Sequence, residues 1–138
     1  MKIHLEMIKS KTLISDQAIY PSEIRYSKTN KCLTVTFENG RIYSYSAELL
    51  RVESPSAEDK GHNTNDKRIV SGCKDVGIKK IDYVGNYAVR IHFDDMHDTG
   101  IYSWLYLYEL GETKDTVWNS YLEELKRLGL KRKSNTTS

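Results

Sequence analysis

Three aspartates and two histidines fall within Arg90-Ile-His-Phe-Asp-Asp-Met-His-Asp-Thr-Gly-Ile-Tyr-Ser-Trp104, between a strand-like run and an aromatic cluster. Imidazole and carboxylate bind divalent metals and move protons near neutral pH, so chemistry in this chain would sit here. His92-Phe93-Asp94 has the H-x-D form of a two-histidine, one-carboxylate iron site, and on a strand His92 and Asp94 share a face. Such a site needs a distant third ligand, and after Asp94 the chain offers only His97, which is too close. That argues against an intact oxygenase and leaves His92 as an exposed histidine beside a turn acid. His97 is better placed, because Asp94, Asp95 and Asp98 can orient its ring or add hard oxygen ligands. His62, in a polar segment after Gly61, could complete a metal site with His97 and Asp95. The plainer reading makes His97 a hydrogen-bonding element of its own loop.

Ten tyrosines are the second unusual feature, with Tyr83, Tyr87, Tyr102, Trp104, Tyr106 and Tyr108 crowded around this loop. Tyrosine and tryptophan suit surfaces that are half apolar and half wet, including partner interfaces, and they also roof sheets as ordinary core. The distinctive polar and aromatic residues group into a rim: Ser54, Ser56, Asn86, Tyr87, Asp95, His97, Tyr102 and Trp104. They are the candidate binding surface. No glycine-rich phosphate loop, Ser/His/Asp arrangement or recognisable pair of separated acids occurs, so no enzyme class gains support.

Composition narrows the partners. Twenty-one basic against nineteen acidic residues leave a net charge of +2, too small a field to call for nucleic acid or an anionic membrane. The basic run Lys131-Arg132-Lys133 precedes Ser-Asn-Thr-Thr-Ser and reads as part of a frayed tail, 131–138. Cys32 and Cys73 lack the spacing of a zinc ribbon or redox pair and suit a reducing compartment. No apolar run approaches the roughly 20 residues of a membrane span, and the charged N-terminus lacks a signal-peptide core. The expectation is a cytoplasmic protein of one domain.

Leu49-Leu50-Arg51-Val52-Glu53-Ser54-Pro55-Ser56-Ala57-Glu58, Val84-Gly85-Asn86-Tyr87-Ala88-Val89 and the acidic stretch together resemble the DUF971 family, the gamma-butyrobetaine hydroxylase-like N-terminal domain. The resemblance covers the accessory domain and none of the hydroxylase's catalytic part. In the hydroxylase's own N-terminal domain, the resemblance implies, the histidine matching His97 joins three cysteines to hold a structural zinc. Here the matching segment carries Ser54, Ser56 and Asp59, and serine hydroxyls ionise too poorly to replace thiolates. Met96 stands where related sequences usually have glycine. Domains resembling this one also occur fused to P-loop ATPases that carry iron–sulfur clusters, which implies a role near cluster assembly. Cys32 and Cys73 alone cannot hold a cluster. The resulting expectation is a non-catalytic binding or adaptor domain with a protein partner and no required cofactor. The rival expectation is a divalent-metal domain, zinc or iron, built on His97, Asp95 and His62.

The elements that must position these residues are strands first and helices last, an α+β domain on an antiparallel sheet. Residues 1–20 form an N-terminal extension of unassigned structure, and the domain spans 21–130. Glu23–Ser27 and Lys31–Phe37 read as strands. Asn39-Gly40 predicts a two-residue type I′ turn that would set Glu38 opposite Arg41, Phe37 opposite Ile42 and Thr36 opposite Tyr43. Ala47–Val52 makes one or two helical turns, stopped by Pro55, and a long polar loop runs from Ser56 to Ser71. Val76–Tyr83 and Tyr87–Asp94 form a second hairpin, with a bulge where Ile78 and Ile81 break alternation. Ser103 caps a short helix ending at Gly111. A second helix, Lys114–Leu128, carries Val117, Trp118, Tyr121, Leu122, Leu125 and Leu128 on one stripe and ends at Gly129.

Overall fold

Two three-stranded antiparallel meanders share one core. The computed structural model describes residues 19–55, 70–95 and 100–133. The first sheet has the order β1 (Pro21–Ser27), β2 (Cys32–Phe37), β3 (Ile42–Ser46); the second has β4 (Ile78–Val84), β5 (Ala88–Phe93), β6 (Gly100–Ser103). Between them lies α1 (Ala47–Val52), and the chain closes with α2 (Trp104–Leu128). This is the expected α+β class. Alternation fills the core from both sheets: Leu33, Val35 and Phe37 of β2 and Val89, Ile91 and Phe93 of β5 are buried. Tyr45, Leu50, Tyr102 and Leu107 join them in one cluster.

The first hairpin differs from expectation by one residue. Val35 faces Tyr43 and Thr36 faces Ile42, while the Phe37 amide bonds the Arg41 carbonyl at 2.8 Å. The loop is therefore Glu38-Asn39-Gly40, closed by a bond from the Gly40 amide to the Phe37 carbonyl at 2.9 Å. Only Gly40 takes a positive φ, +94°, and the Asn39 carboxamide accepts from the Arg41 amide at 3.0 Å. A type I turn followed by a left-handed glycine gives this three-residue form, and it keeps the right-handed twist of the strands. The bulge in β4 is where alternation placed it: the register shifts between Ile78 and Lys80.

A second correction concerns α2. It runs unbroken for 25 residues through Gly111, capped by the Ser103 hydroxyl on the Tyr106 amide and ended by Gly129 at φ +71°. Both caps match their sequence signals. Gly111 is no stop; it is a contact. A Cβ there would lie 2.4 Å from Tyr43 Cγ, so the helix passes over β3 at a distance only glycine allows. On the C-terminal half Tyr121 and Leu125 are buried against Val52, Trp118 and Leu122 are half-buried, and Leu128, expected on the buried stripe, is exposed.

Residues 131–133 are not frayed. The carbonyls of Lys131 and Arg132 accept from the amides of Gly72 and Lys74, and the Arg132 guanidinium grips the buried Glu48 with two bonds of 3.1 and 2.8 Å. An acid in the first turn of α1 also suits the positive end of the helix dipole.

Candidate binding surface

Among the described residues expected on one rim, Asp95 lies at one end of the second sheet and Asn86, Tyr87 and Trp104 at the other. β5 carries six residues, so its ends are roughly 17 Å apart at the usual rise per residue. At one end the Asp95 carboxylate pairs with Arg51 Nε at 2.9 Å, and Ser54 Oγ lies against Gly100. At the other end lie the turn Gly85-Asn86-Tyr87 and the start of α2. There the Trp104 amide bonds the Tyr87 carbonyl at 3.0 Å and its indole N–H bonds the Asn86 carbonyl at 2.9 Å. His97, Ser56 and His62 lie outside the described residues, as do Met96, Asp98 and Asp59.

At the Asp95 end the tyrosines support α1. Its final carbonyls have no intrahelical partners, and two phenols from the second sheet and α2 meet them. Tyr102 donates to the Leu50 carbonyl, and Tyr106 donates to the Glu53 carbonyl at 2.5 Å. Burial, with the nearby Glu53 charge adding to it, pushes the Tyr106 phenol up to about 12. Ser54 and Tyr102 are thus buried. They shape this end from within instead of facing solvent.

His92 and Asp94 do not act as a pair. His92 Nε2 lies 2.9 Å from an Asp82 oxygen on the neighbouring strand, and this hydrogen bond holds the Asp82 carboxyl below its usual range. Asp94 instead accepts from the Gly77 amide at 2.9 Å. Among the described residues no three His, Cys, Asp or Glu side chains group as metal ligands, and none of the helices is long and apolar enough to cross a membrane. Cys32 and Cys73 are not joined in a disulfide.

The turn end is different in character. Most tyrosines are absorbed by the fold: the phenols of Tyr26, Tyr45, Tyr102, Tyr106, Tyr108 and Tyr121 all hydrogen-bond within it. Tyr83 and Tyr87 are not, being 71 and 56 % exposed. The Tyr83 ring meets Trp104 edge-on at 6.3 Å, and Leu105, next along the chain, is 52 % exposed. Sequence reasoning left Tyr83 and Leu105 off the candidate surface. By strand parity Tyr83 sits on the inward face, opposite Val89, but β4 is an edge strand and the core does not reach it there. The signal that could have found it is the position of β4 at the edge, which alternation alone does not give.

The family model for gamma-butyrobetaine hydroxylase-like N-terminal domains matches residues 24–108, more than half of the chain. This chain belongs to that family. Two proteins with NMR solution structures are similar to it over most of their length. One is 39 % identical with a TM-score of 0.75, covering 86 % of this chain and 94 % of its own. The other is 38 % identical with a TM-score of 0.75, covering 90 and 92 %. A crystal structure of a protein of unknown function from Acidithiobacillus ferrooxidans, assigned to the DUF971 family, is 36 % identical with a TM-score of 0.56 and covers 66 % of this chain and 91 % of its own. No curated protein matches the chain. The GBBH-like domain is thus present here as a small α+β unit, and the match reaches from β1 into the first turns of α2.

Proposed function

We propose that this GBBH-like domain is a non-catalytic adaptor that captures a protein partner through the turn end of its second sheet. The observation that carries the reading is the exposure of Tyr83 and Tyr87 beside Trp104, on a turn fixed by two Trp104 hydrogen bonds. Large aromatic side chains held rigidly at a surface lose little conformational freedom on binding and supply much of the energy at protein interfaces. Leu105 extends the apolar area and Asn86 adds a polar edge. The setting we favour is the reducing cytoplasm, in keeping with two cysteines that form no disulfide, and the neighbourhood of iron–sulfur assembly that the family resemblance implies.

The test is comparative capture from a cell extract with the whole chain as bait. The double variant Tyr83→Ser, Tyr87→Ser should lose a bound protein at least tenfold. Ile42→Ser, which removes an equally exposed apolar residue from the first sheet, should retain it. Equal capture by both variants overturns the reading.

A second reading rests on the Asp95 end. Arg51–Asp95 and Ser54–Gly100 bring the segment that resembles the hydroxylase's zinc-ligand segment beside both residues that flank the stretch 96–99, which contains His97. In that reading His97, Asp95 and His62 hold a divalent ion, zinc or iron. Metal content of protein purified without an affinity tag separates the two.

A further inference from the structure

A cleft of about 330 Å³ lies between β3, α1 and the middle of α2, lined in part by Ser44, Glu48, Lys114, Asp115, Trp118 and Arg132. It is remote from the aromatic turn: Trp118 is fourteen residues beyond Trp104, about 21 Å along the helix at 1.5 Å per residue. Its volume is at the lower end of small-ligand pockets, which run roughly 300–1,000 Å³. Two cations are fixed in its wall. Lys114 Nζ donates to the Ser44 carbonyl at 2.5 Å, a neutral partner, and no carboxylate pairs with this half-buried ammonium among the described residues. Arg132 is held by Glu48 through Nε and Nη2 and stacks 5.3 Å from the Trp118 ring centre. That bidentate grip uses Nε and Nη2, and among the described residues the Nη1 edge has no hydrogen-bond partner.

We propose that this cleft binds a small organic monocarboxylate with a flat apolar body. The carboxylate accepts from Lys114 Nζ and the Arg132 Nη1 edge, and the body lies against Trp118. Pre-fixed donors cost little ordering on binding, which is what the Ser44 and Glu48 contacts provide. The charge balance selects among anions. Glu48 balances Arg132 and the exposed Asp115 offsets Lys114, so no net positive field draws in anions of every kind; the oriented donors and the Trp118 face select a carboxylate with a flat body over the compact, strongly hydrated phosphate.

Benzoate, its neutral near-isostere benzamide and inorganic phosphate serve as probes, read by the indole N–H and amide NMR shifts of Trp118 in the full chain, with those of Trp104 as the internal control. Benzoate should bind saturably and perturb Trp118 and Lys114 together. Benzamide and phosphate should bind at least tenfold more weakly. Lys114→Met should abolish the benzoate response at unchanged circular dichroism, and Asp115→Asn, on an exposed position, should strengthen it severalfold. Equal binding of benzamide, preference for phosphate, full binding by the Lys114 variant, or no response to benzoate at tens of millimolar would each overturn the site.

Discussion

Gly111 shows how one residue can carry opposite meanings on two levels. Locally a glycine inside a helix costs about 1 kcal/mol relative to alanine, and the sequence pattern therefore reads it as an end. In the fold it is the point where α2 crosses β3, and the Tyr43 ring occupies the space a methyl would need. Tyr43 has little room to yield, being edge-on to Phe37 at 6.2 Å and to Tyr108 at 5.7 Å. Overpacking of this kind costs about 1–3 kcal/mol. Gly111→Ala should therefore destabilise the protein by up to about 2 kcal/mol once the propensity gain is subtracted. Chemical denaturation measures it directly. A stabilised variant would mean that Tyr43 swings aside and that the glycine merely weakens the helix.

At the scale of elements, the C-terminal half of α2 is held by few residues. Leu125 and Tyr121 are buried with Val52, whereas Leu122 is half-buried at the edge of this cluster. Leu125→Ala should cost about 2–5 kcal/mol, as core leucines do, and Leu122→Ala less than half as much. Equal losses would show that Leu122 reaches deeper than its surroundings indicate. The first five strands, the bulge at Lys79, α1 and the caps Ser103 and Gly129 were legible in the sequence, because each depends on neighbours within one hairpin or one helical turn; β6 was not, since its inward positions are Gly100 and Tyr102 and show no aliphatic alternation. The first hairpin's register was not, since Asn-Gly serves both a two-residue turn and a three-residue turn with glycine last. The candidate surface was legible in composition but not in placement. Asn86 and Tyr87 sit at the solvent-facing turn, while Tyr102, though its strand pairs with Val89 near that turn, is buried with its phenol on the Leu50 carbonyl, 52 residues away, and Ser54 is buried as well. Arg132 was misread for the same reason: its partner Glu48 is 84 residues away.

For the whole molecule, the decisive matter is whether its stability depends on a bound ion. The described core is continuous from the first sheet through α1 and the second sheet to α2, and it is apolar and aromatic throughout. The Asp95 end is tied by protein groups: Arg51 to Asp95, Tyr102 to the Leu50 carbonyl and Tyr106 to the Glu53 carbonyl. Those ties join the Ser54 segment to the second sheet through protein groups, and a core of this size suffices on general grounds for a domain of this length. Thermal unfolding before and after exhaustive chelation should therefore coincide to within a degree or two. An ion bound at a hundredfold above its dissociation constant would add about 2.7 kcal/mol. Its removal would lower the midpoint by several degrees in a domain this size. A fall of that magnitude, reversed by zinc or iron and abolished by His97→Ala, would establish the metal-binding reading at the adaptor's expense. Coincident curves would leave the exposed tyrosines as the stronger lead to function.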